Sequence, residues 1–361
     1  MAERYLREKS FRKWPILTAI IFLGIATQAA GQFSFLKAGQ KKEVSILFAG
    51  DLMLGNELIP VIKELGADYP FDSVANVIRE EDIAVANLES PLTVGGKAQK
   101  KKYTFAAPPS YIDGPVHAGF DLFTLANNHI LDFGVDGLNS TLNTLRKTGV
   151  LFCGAGMNYA EATKPAIIMR DGIRFGFLAF SLTYPESFWA KPGKAGTAYV
   201  DCPNLGKIIR ETKKSVDIVV VSFHWGGEYR ERLKPYQVKY AHQAIDAGAD
   251  IVIGHHPHTL QGLEIYRGKL IAYSLGNFIF GTRNPKAYYG ALLKAWFSEK
   301  ALVDAEIIPI SVNNYKVQFQ PKRLSLDERT SEIRHLNSIS KGLNGGAMIL
   351  NADGVVRMKS N

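Results

Sequence analysis

Cysteine is nearly absent, with Cys153 and Cys202 the two present in 361 residues. They stand apart from each other and from the histidines, which excludes a disulfide framework and a cysteine-built metal site. Two half-buried thiols and a single bridge both remain open, because sequence does not give the distance between their Cα atoms. Internal repeats are missing, and so is any recognised nucleic-acid motif. The formal charge of +9 comes from Lys and Arg scattered among 34 acids, dense only at the N-terminus and around Lys97 to Lys102. Charge of that kind suits a membrane surface or an anionic polymer, and no nucleic-acid partner is expected. A hydrophobic content of 46% excludes wholesale disorder, and the length admits one large domain or two smaller ones.

Residues 14–30 form a charge-free apolar run behind Arg4, Arg7, Lys9, Arg12 and Lys13. At 17 residues, with Thr18, Thr27 and Gln28 inside it, the run lies at the lower limit for spanning a bilayer. Thr27 and Ala29 also fit a cleavage site, so a retained cell-membrane anchor and a removed signal peptide both follow. Either way the positive flank puts the rest of the chain outside the cytoplasm, membrane-tethered in one case and secreted or periplasmic in the other. Residues 1–30 thus read as anchor or signal and 31–43 as a tether.

Beyond residue 43, short apolar runs at 44–49, 83–86, 122–125, 150–152, 167–169, 175–180, 218–222 and 251–254 predict buried strands. Amphipathic patterns at 135–147 and 235–247 predict helices between them, and this alternation is the mark of an α/β sheet covered on its faces. From residue 262 the pattern turns to hairpins, so the later core is expected to be more antiparallel. A C-terminal extension, 321–361, is expected to pack on the domain formed by 44–320.

In open α/β sheets functional groups gather beyond the carboxyl ends of strands. Metal-ligand residue types follow five of them: Asp51, Glu89 (with Asn87 before it), Asn128-His129 with Asp132, His224, and His255-His256-Pro257-His258. A lone loop Asp or Asn usually makes a turn or caps a helix, but three of eight histidines within four positions is a metal-binding pattern. Carboxylate, amide oxygen and imidazole together suit Mn, Fe or Zn better than Ca. Trp225, Glu228 and Tyr229 follow a ligand directly and are candidates to line a substrate cleft, with plain packing the alternative for Trp225. Gln261, Glu264 and Asn277 are candidates to orient imidazoles. His117, His242 and His335 lie outside every motif, and Lys97 to Lys102 read as a solvated loop or a contact for a polyanion.

These segments resemble the capsule-synthesis CapA/PgsA family, a branch of the calcineurin-like metallophosphatase superfamily, over roughly residues 44 to 320. The longest matching segment runs from Gly248 through His258 and on to Tyr273-Ser274-Leu275-Gly276-Asn277-Phe278. The resemblance implies a central β-sandwich flanked by helices. It implies one ion held by Glu89, Asn128, His224 and His256 and another held by Asp51, Glu89 and His258, with His129 as acid. It also implies work on an anionic polymer such as poly-γ-glutamate within a synthesis or export complex, either as a phosphoester or amide hydrolase or as a non-catalytic component. A general extracytoplasmic phosphoesterase is a third reading. Met53 departs from the pattern, standing where metallophosphatases have a histidine ligand, and a thioether is a poor ligand for a hard divalent ion. His255, where many relatives have Gly, is a possible substitute ligand, and Asn87 is a possible ligand, a support for one, or a plain turn amide. Asp132 is expected either to orient His129 or to cap the helix behind it.

Overall fold

A computed structural model describes residues 43–358. The anchor or signal expected at 1–30 and most of the tether lie outside the described residues. Among those described, no helix is long and apolar enough to cross a membrane.

Two sheets carry the architecture. In the first, β1 (Val44–Met53), β2 (Ile83–Leu88), β3 (Leu122–Thr124) and β4 (Leu151–Cys153) run parallel. In the second, β5 (Ala166–Arg170) pairs antiparallel with β6 (Ile173–Ser181), which starts a parallel run through β7 (Ile218–His224) and β8 (Ile251–His255). β9 (Leu263–Tyr266) and β10 (Lys269–Ala272) form a hairpin, with β10 parallel to β8. The chain then returns to the first sheet: β11 (Asn277–Phe280) extends the C-terminal end of β1 in parallel. β12 (Tyr289–Phe297), β13 (Leu302–Ser311) and β14 (Lys322–Arg323) complete that sheet in antiparallel order. The later antiparallel core is therefore split between the two sheets.

Period-two alternation decides which face meets which layer. Ile46, Phe48, Val85 and Leu122 of the first sheet pack against Phe175, Phe177, Val220 and Ile253 of the second, forming the sandwich interior. Leu47, Ala84, Ala86 and Phe123 point the other way, under α1 (Leu58–Leu65) and α2 (Gly134–Thr148), whose Leu58, Ile62, Leu138, Leu142 and Leu145 cover them. On the far side, Phe180, Val219, Val221 and Val252 lie under α3 (Cys202–Lys213) and α4 (Pro235–Asp246). Each such Leu, Ile or Phe contributes about 1.5–3 kcal/mol by burial. The single covered sheet suggested by the strand pattern is thus two face-to-face sheets with helices outside each: an α/β fold with a central β-sandwich flanked by helices. After β14, α5 (Leu326–Ser340) sends Ile333 and Leu336 into the sandwich interior.

β5 is not the buried strand its apolar run predicts, for Ile167 and Met169 are exposed on a sheet edge. Cys153 and Cys202 are both free. Burial pushes the Cys153 thiol up to about 12. A thiol reagent is therefore expected to label Cys202 alone in the native protein and both residues after denaturation, as mass spectrometry of labelled peptides would read.

Candidate metal centre

Parallel strands in both sheets end on the same side of the sandwich, and the candidate ligands sit at those ends. Asp51 lies inside β1 beyond a register irregularity that separates it from Phe48. There the chain crosses Gly276 so closely that a Cβ on Gly50 would meet the Gly276 carbonyl at 2.1 Å. Asp51 N–H donates to that same carbonyl at 3.0 Å, which fixes the carboxylate at the crossing. Glu89 follows β2 directly, and His224 ends β7. His256 and His258 leave β8 with φ of 95° and 56°, a left-handed backbone that costs non-glycine residues on the order of 1 kcal/mol or more each.

Two groups of ligand atoms result, Glu89 with His224 and His256, and Asp51 with Glu89 and His258. Within each group the atoms lie within 4.8 Å of one another, and every member is buried. His224 Nε2 lies 2.7 Å from Asn128 Oδ1 and 3.4 Å from Glu89 Oε1, so Asn128 joins the first group. His258 Nδ1 is 2.9 Å from Asn277 Oδ1 and 3.3 Å from Asp51 Oδ2, and its Nε2 is 3.8 Å from Glu89 Oε1. Among the described residues, buried Glu89 Oε1 and His256 Nδ1 have no hydrogen-bond partner. Orphaned acceptors in so dry a place are costly unless something cationic meets them. Carboxylate, imidazole and amide oxygen converging this way fit a divalent metal ion.

Electrostatics agree with that fit. Burial, followed by the neighbouring Asp51 carboxylate, pushes Glu89 well above the usual carboxylate range. Burial works against Asp51 too, but the adjacent His255 and His258 imidazoles overcome it and hold Asp51 low. Burial and then His258 bring His256 down to about 3, and burial and then His256 hold His224 well below the usual imidazole range. Both rings are neutral at pH 7 and available as ligands.

Around the ligands, several expectations need correction. Asn87 is interior to β2, where its Nδ2 donates to Asp51 Oδ1 at 2.9 Å and its Oδ1 accepts from Asn127 Nδ2 at 3.1 Å. Of its three readings, ligand, support for a ligand and turn amide, its contacts match the second. His255 belongs to neither group: its ring lines the narrow space between the sheets, with Nδ1 3.2 Å from Asp51 Oδ1 but out of hydrogen-bond alignment. Met53 packs with Phe105 and Phe280, and its sulfur accepts from Gly55 N–H at 3.1 Å. Phe105 stacks on His129 and Phe280 sets its edge against His258, so Met53 is part of an apolar wedge beside both rings.

His129 Nδ1 meets Asp132 Oδ2 at 2.6 Å, while Asp132 makes no side-chain cap bond to α2. The other Asp132 oxygen accepts from Lys101 Nζ at 2.7 Å, and the same ammonium donates to the Asn128 carbonyl at 2.6 Å. Lys101 is therefore a strut under the centre, not part of a solvated loop. Trp225 is fully buried, stacked on Phe223, with Nε1 donating to the Tyr273 carbonyl at 2.9 Å. It lines no cleft, and Trp225→Ala is expected to cost about 3–5 kcal/mol in denaturant unfolding. Glu228 does line a cavity beside Asn128 and His256. Tyr229 lies instead against His258, its hydroxyl bonded to Asn284. Gln261 bonds Gln237 and the Arg230 carbonyl, and Glu264 accepts from Tyr273 and pairs with His242. Of the three candidates to orient a ligand imidazole, Asn277 alone does so. Asn127 escaped sequence reasoning: its Oδ1 accepts from His129 N–H and Ile130 N–H, shaping the turn that presents Asn128.

Residues 45–282 match the family model described as bacterial capsule synthesis protein PGA_cap. The chain is 31% identical to the PGA biosynthesis protein CapA of Bacillus subtilis over 306 residues, covering 81% of this chain and 80% of that protein. It is 26% identical to the capsule biosynthesis protein CapA of Bacillus anthracis over 355 residues, covering 96% and 85%. Among solved structures it is similar to the calcineurin-like phosphoesterase YfkN of Bacillus subtilis, at 14% identity and a TM-score of 0.45, over 76% of this chain and 96% of that one. A likeness that loose says nothing of chemistry.

Proposed function

The chain belongs to the bacterial capsule synthesis protein family, and from that premise we propose that it is a metal-dependent hydrolase acting in biosynthesis or export of an anionic capsule polymer of the poly-γ-glutamate type. The supporting observation is the pair of buried ligand groups sharing Glu89, with its orphaned oxygen. Glu89, Asn128, His224 and His256 would hold one ion; Asp51, Glu89 and His258 would hold a second, weaker one. Mn, Fe or Zn matches this donor set. A divalent ion bound there would supply Lewis-acid activation of water and of the bond attacked. His129 keeps Nδ1 on Asp132, which leaves Nε2 to hand a proton to the departing group. The polymer bond is an amide or a phosphoester, and the work is done outside the cytoplasm, in or beside a synthesis or export complex at the membrane.

The apolar wedge around Met53 favours a second reading, in which the centre binds polymer as part of an assembly or export machine without turnover. The full-length protein, loaded with Mn, separates the two when assayed against poly-γ-glutamate and simple phosphoesters beside Asp51→Ala and His256→Ala. Polymer shortening that both substitutions abolish supports the hydrolase. Tight metal with no turnover on either substrate sinks it. Protease accessibility in intact cells tests the location.

A further inference from the structure

A cavity of about 510 Å³ opens on Asn128 and His256, and its remaining walls belong to none of the metal ligands. Half of them are aromatic: Tyr184, Trp189, Tyr199, Tyr236 and Tyr240. Trp189 and Tyr199 stack at 3.7 Å with ring planes 7° apart, a rigid platform beside the centre. Tyr236 and Tyr240 are fixed through their hydroxyls to the Gly226 amide and the Val200 carbonyl. Beside Leu182, Thr183 and Gly226, the lining includes two charged residues, Lys234 and Glu228. Both are exposed, and neither has an ion-pair partner among the described residues. The cavity thus offers flat apolar faces, neutral phenols, one ammonium and one carboxylate.

We propose that this cavity is the subsite for the amino-terminal unit of a γ-linked glutamate chain, with Trp189 and Tyr199 as its platform, Lys234 on its α-carboxylate and Glu228 on its terminal ammonium. The inference rests on the polymer reading above and adds which end of the polymer sits by the centre. A γ-glutamyl unit has two methylenes and a planar amide to lie on aromatic faces, and one carboxylate per residue. Its first residue alone adds an ammonium. One cation opposed by one anion suits that zwitterionic end better than a stretch of polyanion, which would want several cations. It also suits it better than a nucleoside phosphate, whose base would stack on the same platform but would leave Glu228 facing negative charge.

The test is a fluorescence titration of full-length, chelator-treated protein with a γ-linked glutamate trimer at low salt, with AMP as comparison. The trimer is expected to perturb tryptophan emission, and Trp189→Phe to remove most of that change while leaving the circular dichroism intact. Lys234→Ala is expected to weaken the trimer about fivefold, the upper range for an exposed ion pair. Glu228→Gln is expected to weaken the free-amine trimer by a similar factor and leave an N-acetylated trimer unaffected. Equal trimer affinity in wild type, Lys234→Ala and Glu228→Gln overturns the proposal, as does binding of AMP in preference to the trimer. Because the titration uses metal-free protein, it separates the two claims. Trimer binding as described without turnover in the loaded protein keeps the subsite and removes the hydrolase, and polymer cleavage indifferent to both substitutions does the reverse.

Discussion

Glu89→Gln is expected to raise the melting temperature of the metal-free protein and to erase the further rise that divalent ions give the wild type. Glu89 is completely buried, and burial together with Asp51 holds its pKa well above the ordinary value. A carboxyl whose folded pKa is raised binds more protons folded than unfolded, so it makes stability fall as pH rises from the ordinary carboxylate range through the raised value. Between pH 5 and pH 7 Glu89 thus opposes the gain in stability that the depressed His224 and His256 supply, so the metal-free glutamine variant should gain more stability over that interval than the wild type. Metal acts in the opposite direction. An ion at a hundred times its dissociation constant stabilises by about 2.7 kcal/mol. Glu89 serves both ligand groups, so its loss should cost more than the roughly 10–100-fold typical of a mere supporting contact. Thermal unfolding with and without Mn at the two pH values reads both effects, and an undiminished metal-induced shift in Glu89→Gln would count against the ligand assignment.

His129→Ala is expected to lower polymer turnover by about 10²–10⁴-fold with metal content unchanged. Its ring touches none of the ligand carboxylates; it is gripped by Asp132 and covered by Phe105. As a proton donor it works while protonated. Burial lowers its pKa, with the Asp132 hydrogen bond opposing. The His129-dependent rate should therefore decline with rising pH below the ordinary imidazole range near 6.5. Asp132→Asn removes the opposing contact and should move that decline lower still. A pH–rate profile of the three proteins checks this, and wild-type rates in His129→Ala would remove the residue from the chemistry.

The strand ends were readable because Asp51, Glu89, His224 and His256 each interrupt or close an apolar run with a ligand-type residue, a pattern that needs no knowledge of packing. The partnership of the two sheets was not readable, since alternation in Ile46-Leu47-Phe48 says that both faces are covered without saying by what. Lys101 sits in a lysine-rich stretch that looks solvated, and its reach to Asp132 depends on how residues 99–105 fold back, with Gln99 N–H on the Asp132 carbonyl and Phe105 N–H on its carboxylate. Trp225 follows a ligand-type residue in sequence, but the strand that turns His224 toward Glu89 sends the next residue under Tyr273 on the other side. Gln261 and Glu264 lie near the ligands along the chain yet satisfy Gln237 and His242 in space. The aromatic cavity draws on three separate segments whose residues look like ordinary core when taken singly.

The centre itself is tested most directly by anomalous scattering from a Mn-soaked crystal, recorded alongside a crystal of Glu89→Gln. The account predicts a strong peak bounded by Glu89, Asn128, His224 and His256, with a weaker one or none between Asp51 and His258, and neither in the variant. No peak at the first position in the wild type, or an equal peak in Glu89→Gln, would contradict it.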